Sequence, residues 1–351
     1  MTDRKRALIT AEFDPLAVAQ LAEMGYAAEL AGWGQTRQAL STKELSALVP
    51  GTSLLIVEVE QVSAEILAAA PDLEAIATCR AGPVNVDLAA ATARGIPVLT
   101  TPARNADSVA DFALGLMLAL CRNINRAERH LRQKGWMVGN EIPYFHFRGP
   151  ELGGRTLGLI GCGAIGRALA GRARGFDMRV LVYDPYLDPA ALGDLGQLVS
   201  LETVLAEADF LSLHVPLNSE TKGMLGAEEL ALVKPTAYLI NTARAAVIDE
   251  EALFTALESG RLAGAALDVF WDEPKIADRW FSLDNVLLTP HLGGAADEVK
   301  AHQSSMIVED LGLLQAGGTP ARLANPEVLS GTGADRDRAL FDVVNMTPES
   351  T

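Results

Sequence analysis

Thr156-Leu157-Gly158-Leu159-Ile160-Gly161-Cys162-Gly163-Ala164-Ile165-Gly166 runs from an apolar stretch into three glycines spaced G-x-G-x-x-G. The residues that follow, IGRALAGRA, have helical periodicity. A strand, a glycine turn and a helix in that order form a dinucleotide-binding unit. Gly161 allows the tight turn, Gly163 lets the backbone approach a pyrophosphate, and Gly166 lets the helix pack on the strand. The helix N-terminus adds free N–H groups and partial positive charge for the phosphates. The spacing alone is common in turns, but Asp184 strengthens it. It ends the strand-like VLVY, 18 residues past Gly166. A carboxylate there can accept from both adenosine ribose hydroxyls and repels a 2′-phosphate. Pro185-Tyr186 follow it rather than an arginine, so NAD is expected over NADP.

Strand and helix patterns alternate on both sides of this unit. Downstream, strands are predicted over 180–183, 210–213, 237–241, 264–269 and 286–288. Helices fall at 165–173, 201–207, 226–231, 250–259 and beyond 295. Upstream, strands are predicted over 7–10, 54–59, 75–79 and 96–99, with helices at 15–24, 64–70 and 86–94. The unbroken apolar run at 54–59 is that of a strand buried on both faces, and the alternation argues for βαβ units and parallel sheets. An apolar helix runs from Ser108 to about Arg122, with Asp107 or Ser108 as N-cap. It is hydrophobic almost all round and is expected between domains or at a subunit interface. The aromatic-rich MVGNEIPYFHFRGP at 137–150 reads as a loop or linker, and 332–351 as a frayed tail. The expected fold class is α/β, with two Rossmann-like domains built on parallel sheets. A nucleotide domain at 103–296 is inserted into a discontinuous, flavodoxin-like substrate domain made of 1–102 and 297–331.

Composition narrows the function. The 351 residues suit about two domains. With 29 basic and 45 acidic residues the net charge is −16, a surface that repels nucleic-acid backbones and anionic membranes. At 49% hydrophobic and 21% charged, the chain can bury a sizeable core. MTDRKRALITAEFD lacks the apolar core and cleavage site of a secretory leader. No apolar run reaches the ~18 residues of a membrane span, and a cytoplasmic protein is expected. Cys79, Cys121 and Cys162 are odd in number and widely spaced, so neither a disulfide framework nor a metal site is expected.

Three ionisable residues behind the glycine motif have the chemistry for hydride exchange at a 2-oxo acid. Arg244, in NTARAAVIDE, can grip a carboxylate and the adjoining carbonyl with its planar fork. His291, in LLTPHLGG, can exchange the proton that accompanies hydride. Glu273, in DVFWDEP, can orient and stabilise the charged imidazole. Each follows a predicted strand end, where ligands collect in open α/β sheets.

In this order the motifs resemble those of the D-isomer-specific 2-hydroxyacid dehydrogenases, the family of phosphoglycerate dehydrogenase and glyoxylate/hydroxypyruvate reductase. The matching stretches are 79–87, 102–111, 157–166, 212–217, 241–244, 267–274 and 289–294, so the resemblance covers about 50 to 330. It implies Arg244 as the substrate-binding residue, His291 as acid/base and Glu273 as its partner. The backbone at Ala81 and Gly82 should cradle the substrate carboxylate. Ala164, Ile165, Asp184, Thr242, Ala243, Asp268, Gly293 and Gly294 should line NAD, with His214 nearby. The chain departs from the family at Ala103 and Ala245, where glycine is usual, and at Asp111, where glutamate is usual. No regulatory domain of the kind some phosphoglycerate dehydrogenases append is expected. The implied activity is reversible hydride transfer between NAD(H) and a small D-2-hydroxy/2-oxo acid in a homodimer. An NAD-sensing corepressor of the same fold is the alternative, and a formate-dehydrogenase-like enzyme is disfavoured because Glu273 stands where that branch resembles a Gln–His pairing.

Overall fold

The computed structural model describes residues 4–329, so the tail expected at 332–351 lies outside the described residues. The chain divides into two compact units. One comprises the residues up to Arg104 and those from Asp297 on; the other is Asn105–Ala296.

The first unit is built on five parallel strands: β1 (Lys5–Ile9), β2 (Tyr26–Leu30), β3 (Thr52–Val57), β4 (Ala75–Thr78) and β5 (Val98–Leu99), in the order β2-β1-β3-β4-β5. Its strands read as continuous apolar runs because both faces are covered. Leu8, Leu55, Val57 and Ile76 point into one core, while Ala7, Ile9, Ile56 and Ala77 point into the other. The second core is completed by Ile307, Leu311 and Leu314 of the helix Val299–Gln315. β2 was not predicted. It is an edge strand in which only Tyr26 is buried, so it leaves no apolar run in the sequence.

The second unit carries seven parallel strands: β6 (Thr156–Ile160), β7 (Arg179–Tyr183), β8 (Gln197–Leu198), β9 (Phe210–Leu213), β10 (Tyr238–Asn241), β11 (Gly264–Leu267) and β12 (Val286–Leu288). Their order is β12-β11-β10-β9-β6-β7-β8. Succession runs outward from β6 to β7 and β8, then resumes on the other side with β9. The order therefore reverses between β6 and β9, and the carboxyl ends of those strands form the crevice where such sheets take ligands. The fold is α/β with two all-parallel sheets, as the sequence predicts.

Two helical expectations need correction. The long apolar helix is Ala106–Cys121 and starts after Asn105, without a capping side chain. Ser108 does not cap it because its hydroxyl donates to the Gly293 carbonyl at 2.8 Å. Asp107 and Asp111 are both held by Arg172. Val109, Ala110, Ala113, Leu116, Met117 and Cys121 on this helix are buried, and all but Val109 pack within its own unit's core beside Leu157, Leu159, Leu169 and Ile240. The second correction is Ile124–Lys134, a helix that the sequence pattern does not predict; none of its residues is buried. The adjoining 137–150 segment contains a single helical turn, Pro143–His146.

Asp209 ties three strand entries together. Its Oδ2 accepts from the Thr156 N–H at 2.9 Å, and its backbone N–H returns a bond to the Thr156 carbonyl at 2.9 Å. Its Oδ1 accepts from Lys234 at 3.0 Å, and its carbonyl from the Tyr238 N–H. Burial pushes the Asp209 carboxyl up, but the bonds from Thr156 and Lys234 and the charges of Lys234 and Arg155 hold it below its usual value. Stability linked to a depressed carboxyl is present above the unfolded value of about 3.9 and is lost as pH falls through the folded value. Asp209→Asn should therefore cost about 1.5–3 kcal/mol near neutral pH. The gap from wild type should close below about pH 4 in denaturant melts. An equal gap at pH 7 and pH 3 would show that the charge is not what matters.

Candidate active site

The glycine turn after β6 is shaped by what surrounds it. Gly161 has φ +89°, and a Cβ there would meet the His214 backbone carbon at 2.8 Å. The third glycine is equally constrained: a Cβ on Gly166 would lie 2.5 Å from the Gly161 carbonyl oxygen. Gly163 differs, since a Cβ there would point into open space. It stands at the N-cap of the helix Ala164–Arg174 with no side chain bonded to that end, so the first-turn N–H groups of Ala164 and Ile165 remain available to an anion. Asp184, past the end of β7, accepts from the Cys162 N–H at 2.9 Å and the Tyr186 N–H at 3.0 Å. One bond per carboxylate oxygen leaves further lone pairs for hydroxyl donors.

Two buried polar atoms at the ends of β9 and β10 have no hydrogen-bond partner among the described residues: His214 Nδ1 and Thr242 Oγ1. The other ring nitrogen of His214 lies 2.9 Å from Ser212 Oγ. Burial pushes the His214 pKa down to about 4, so the ring is neutral at physiological pH. Buried polar atoms are almost always paired; His214 follows β9, which borders the switch point, and Thr242 follows β10, its neighbour. An open helix N-terminus, a half-buried carboxylate and two orphaned polar atoms together fit a dinucleotide.

The turn after β10 presents Arg244. Asn241, fully buried, donates to the Arg244 carbonyl at 3.0 Å and accepts from the Ala243 N–H at 3.0 Å. The guanidinium donates to the Ala243 carbonyl at 2.6 Å and is otherwise exposed. Among the described residues no carboxylate pairs with it. Ala245 starts a short 3-10 turn, Ala245–Val247, and is not among the residues with positive φ. Glycine is therefore not required there. Ala103 is the opposite case, at φ +62°, a left-handed conformation that favours the glycine usual in the family.

Asp268, expected to line the cofactor, is buried at the end of β11. Its Oδ1 accepts from Thr289 Oγ1 at 2.6 Å and the Leu292 N–H at 2.8 Å, and its Oδ2 from the Gly293 N–H at 2.8 Å. These bonds fold 289–293 around His291, which adopts φ +57°, a region that histidine enters more readily than most residues. Gly293 and Gly294 have packing reasons of their own. Cβ atoms there would approach Asp268 Oδ2 at 3.2 Å and Asn105 Nδ2 at 2.9 Å.

His291 Nδ1 lies 2.9 Å from Glu273 Oε2, and Glu273 Oε1 accepts from the Phe270 N–H at 2.9 Å. Burial pushes the Glu273 carboxyl up. The bonds from His291 and Phe270, with the charges of His291 and Arg244, outweigh this and hold it below the usual glutamate value. An ionised carboxylate only accepts, so the proton on this bond sits on Nδ1 and leaves Nε2 as the nitrogen for chemistry. Arg244, Glu273 and His291 thus stand together. Ala81 and Gly82 belong to the other unit, in the loop after β4, where Gly82 faces open space. Sequence reasoning assigned no role to Asn241, Ser212 or the Phe270 N–H, which fix the groups that it did identify. Among the described residues no helix is long and apolar enough to cross a membrane, and no cluster of His, Cys, Asp or Glu is placed to hold a metal ion.

A family profile described as D-isomer specific 2-hydroxyacid dehydrogenase, NAD binding domain, matches residues 114–293. Glyoxylate reductase of Thermococcus litoralis is 42% identical over 283 residues, 80% of this chain and 85% of the relative. D-3-phosphoglycerate dehydrogenase of Mycobacterium leprae is 40% identical over 277 residues, which is 79% of this chain and 51% of that longer protein. The solved NADPH-dependent glyoxylate/hydroxypyruvate reductase of Sinorhizobium meliloti, in complex with citrate, matches with a TM-score of 0.74 and 30% identity over 92% of this chain and 98% of its own. The chain belongs to the D-isomer-specific 2-hydroxyacid dehydrogenase family. It is an oxidoreductase acting on CH–OH donors, with NAD as cofactor.

Proposed function

We propose that the protein reduces a short 2-oxo acid to its D-2-hydroxy acid with NADH, and runs the reverse reaction with NAD. The observation that carries this is the ionised Glu273 bonded to His291 at 2.9 Å, with Arg244 close enough to act on the same carboxylate and bearing no carboxylate partner of its own among the described residues. In this reading the unit Asn105–Ala296 holds the nucleotide. The Gly161–Gly166 turn and the helix N-terminus take the pyrophosphate, and Asp184 takes the ribose hydroxyls. His214 Nδ1 and Thr242 Oγ1 supply further polar contacts. The backbone of Ala81 and Gly82 takes the substrate carboxylate.

NADH, when bound, supplies the hydride. Arg244 binds the carboxylate and polarises the carbonyl through its planar fork. His291 Nε2 delivers the proton to the carbonyl oxygen, and Glu273 keeps the ring oriented through Nδ1. Oxidation uses the same nitrogen as base. Glyoxylate and hydroxypyruvate are the best candidates, since relatives named for glyoxylate reduction match along most of their own length.

The expected homodimer also belongs here, with a changed interface. The apolar face of Ala106–Cys121 is covered by its own unit, so it is not the dimer surface. A dense run of exposed apolar side chains lies instead along 124–145: Ile124, Leu131, Trp136, Met137, Ile142, Tyr144 and Phe145. Such a stretch is an aggregation liability unless it is covered, and a second copy is the partner proposed. Light scattering at micromolar concentration should give twice the chain mass. A monomer, or a dimer unaffected by Trp136→Ser with Phe145→Ser, would remove this interface.

NADH oxidation across 2-oxo acids of graded length tests the activity. Turnover is expected on glyoxylate and hydroxypyruvate. Arg244→Ala should lower kcat/KM by about 10²–10³ while NADH binding, read by fluorescence, changes little. NADH should be preferred to NADPH by about tenfold or more, because a 2′-phosphate would face Asp184. Near-normal kcat/KM in a folded Arg244→Ala variant would sink the assignment, and equal use of NADPH would remove the role given to Asp184.

A further inference from the structure

The carboxyl edge of the five-stranded sheet holds a charged cluster that the proposed reaction leaves unused. Arg104 Nη2 lies 3.2 Å from Glu58 Oε1, and both side chains are largely buried. Three further contacts hold this pair in place. Arg104 Nη1 donates to Gln303 Oε1, the Arg104 carbonyl lies 3.1 Å from His302 Nδ1, and Gln303 donates to the Glu12 carbonyl at 2.6 Å. Glu58 also accepts from the Glu12 N–H at 3.4 Å. Arg80 Nε donates to the Glu58 carbonyl at 2.5 Å, and Arg80 directly precedes Ala81 and Gly82. A further cation on this edge, Arg37, is paired with Glu12. Of the three arginines, then, two are neutralised by a carboxylate. Arg80 has no ion-pair partner among the described residues.

We infer that Glu58 is a specificity-determining residue: by neutralising Arg104 it leaves a single unpaired cation beside Gly82 and selects 2-oxo acids whose remainder is short and uncharged. A phosphomonoester brings about −1.5 to −2 further charges and is ordinarily held by several charged donors. Here the second arginine that could hold it is already taken, and the phosphate would meet the Glu58 carboxylate. A partly buried charge is poorly screened, so like-charge juxtaposition rejects the wrong substrate more strongly than a surface charge could. This inference rests on the reading that the Ala81–Gly82 backbone receives the substrate carboxylate. Relatives named as glyoxylate reductase and as D-3-phosphoglycerate dehydrogenase match at 42% and 40% identity. Identity therefore does not separate the two substrate classes.

The test compares glyoxylate with 3-phosphohydroxypyruvate, using NADH and the full chain, in wild type and Glu58→Gln. Wild type should favour glyoxylate by about 100-fold or more in kcat/KM. Glu58→Gln keeps the shape and removes the charge. It should raise the phosphorylated-to-unphosphorylated ratio about tenfold or more, chiefly through KM. A second measurement needs no variant: inorganic phosphate at about 10 mM should not compete with glyoxylate in wild type. Equal use of both substrates by wild type, competition by phosphate, or an unchanged ratio in folded Glu58→Gln each overturns the inference while leaving the reductase reading intact. Absence of turnover on either substrate overturns that reading, and the inference falls with it.

Discussion

One buried carboxylate holds the candidate chemistry in place. Asp268 follows β11 and receives three hydrogen bonds from 289–293, which bend that segment back over the strand end. His291 sits inside the bend in a left-handed conformation, which costs roughly 1–2 kcal/mol for most residues and persists only where the surroundings over-determine it. The Asp268 bonds provide that constraint. They fix where the imidazole emerges, so Glu273 can reach Nδ1 from the neighbouring loop. Asp268 acts through backbone geometry rather than by touching substrate, which makes it a positioning residue in the proposed mechanism.

The nucleotide side follows from topology. Strand order reverses between β6 and β9, and the glycine turn after β6 rests directly on the His214 backbone after β9. A glycine is needed at 161 both for its φ and for that contact. The same close approach places the neutral His214 ring and the open end of the Ala164–Arg174 helix at one switch point. The glycine motif, the HVP turn and the NTAR turn are therefore parts of one surface, although about 80 residues of sequence separate the first from the last.

Much of this is legible in sequence where a local pattern encodes it. Strands buried on both faces, such as β3 and β4, appear as apolar runs, and Gly161, Asp184, Arg244, Glu273 and His291 follow from chemistry at strand ends. Elements that bury little left no such pattern: the edge strand β2, the two-residue β8 and the exposed helix Ile124–Lys134. Asp268 is legible as a strand-end carboxylate, but its loop donors are not, because they lie 20 or more residues away. Ser108 failed as an N-cap for a similar reason, since its partner Gly293 is remote in sequence. The Glu58–Arg104 pair joins the loop after β3 to the loop after β5, and no spacing rule brings those two residues together.

The central claim is that Glu273 tunes and aims His291 as the group that exchanges the proton. The most direct test is the pH dependence of reduction and oxidation in wild type and Glu273→Gln. The Glu273 carboxyl is held below its usual value, so it stays ionised across the neutral range and accepts from His291 Nδ1. Reduction, which needs the protonated ring, should fall on the alkaline side, while oxidation should rise there. Removing the charge should move both limbs toward acid, with activity retained. Limbs that stay where they are in a folded Glu273→Gln variant would contradict the claim and assign the proton to another group.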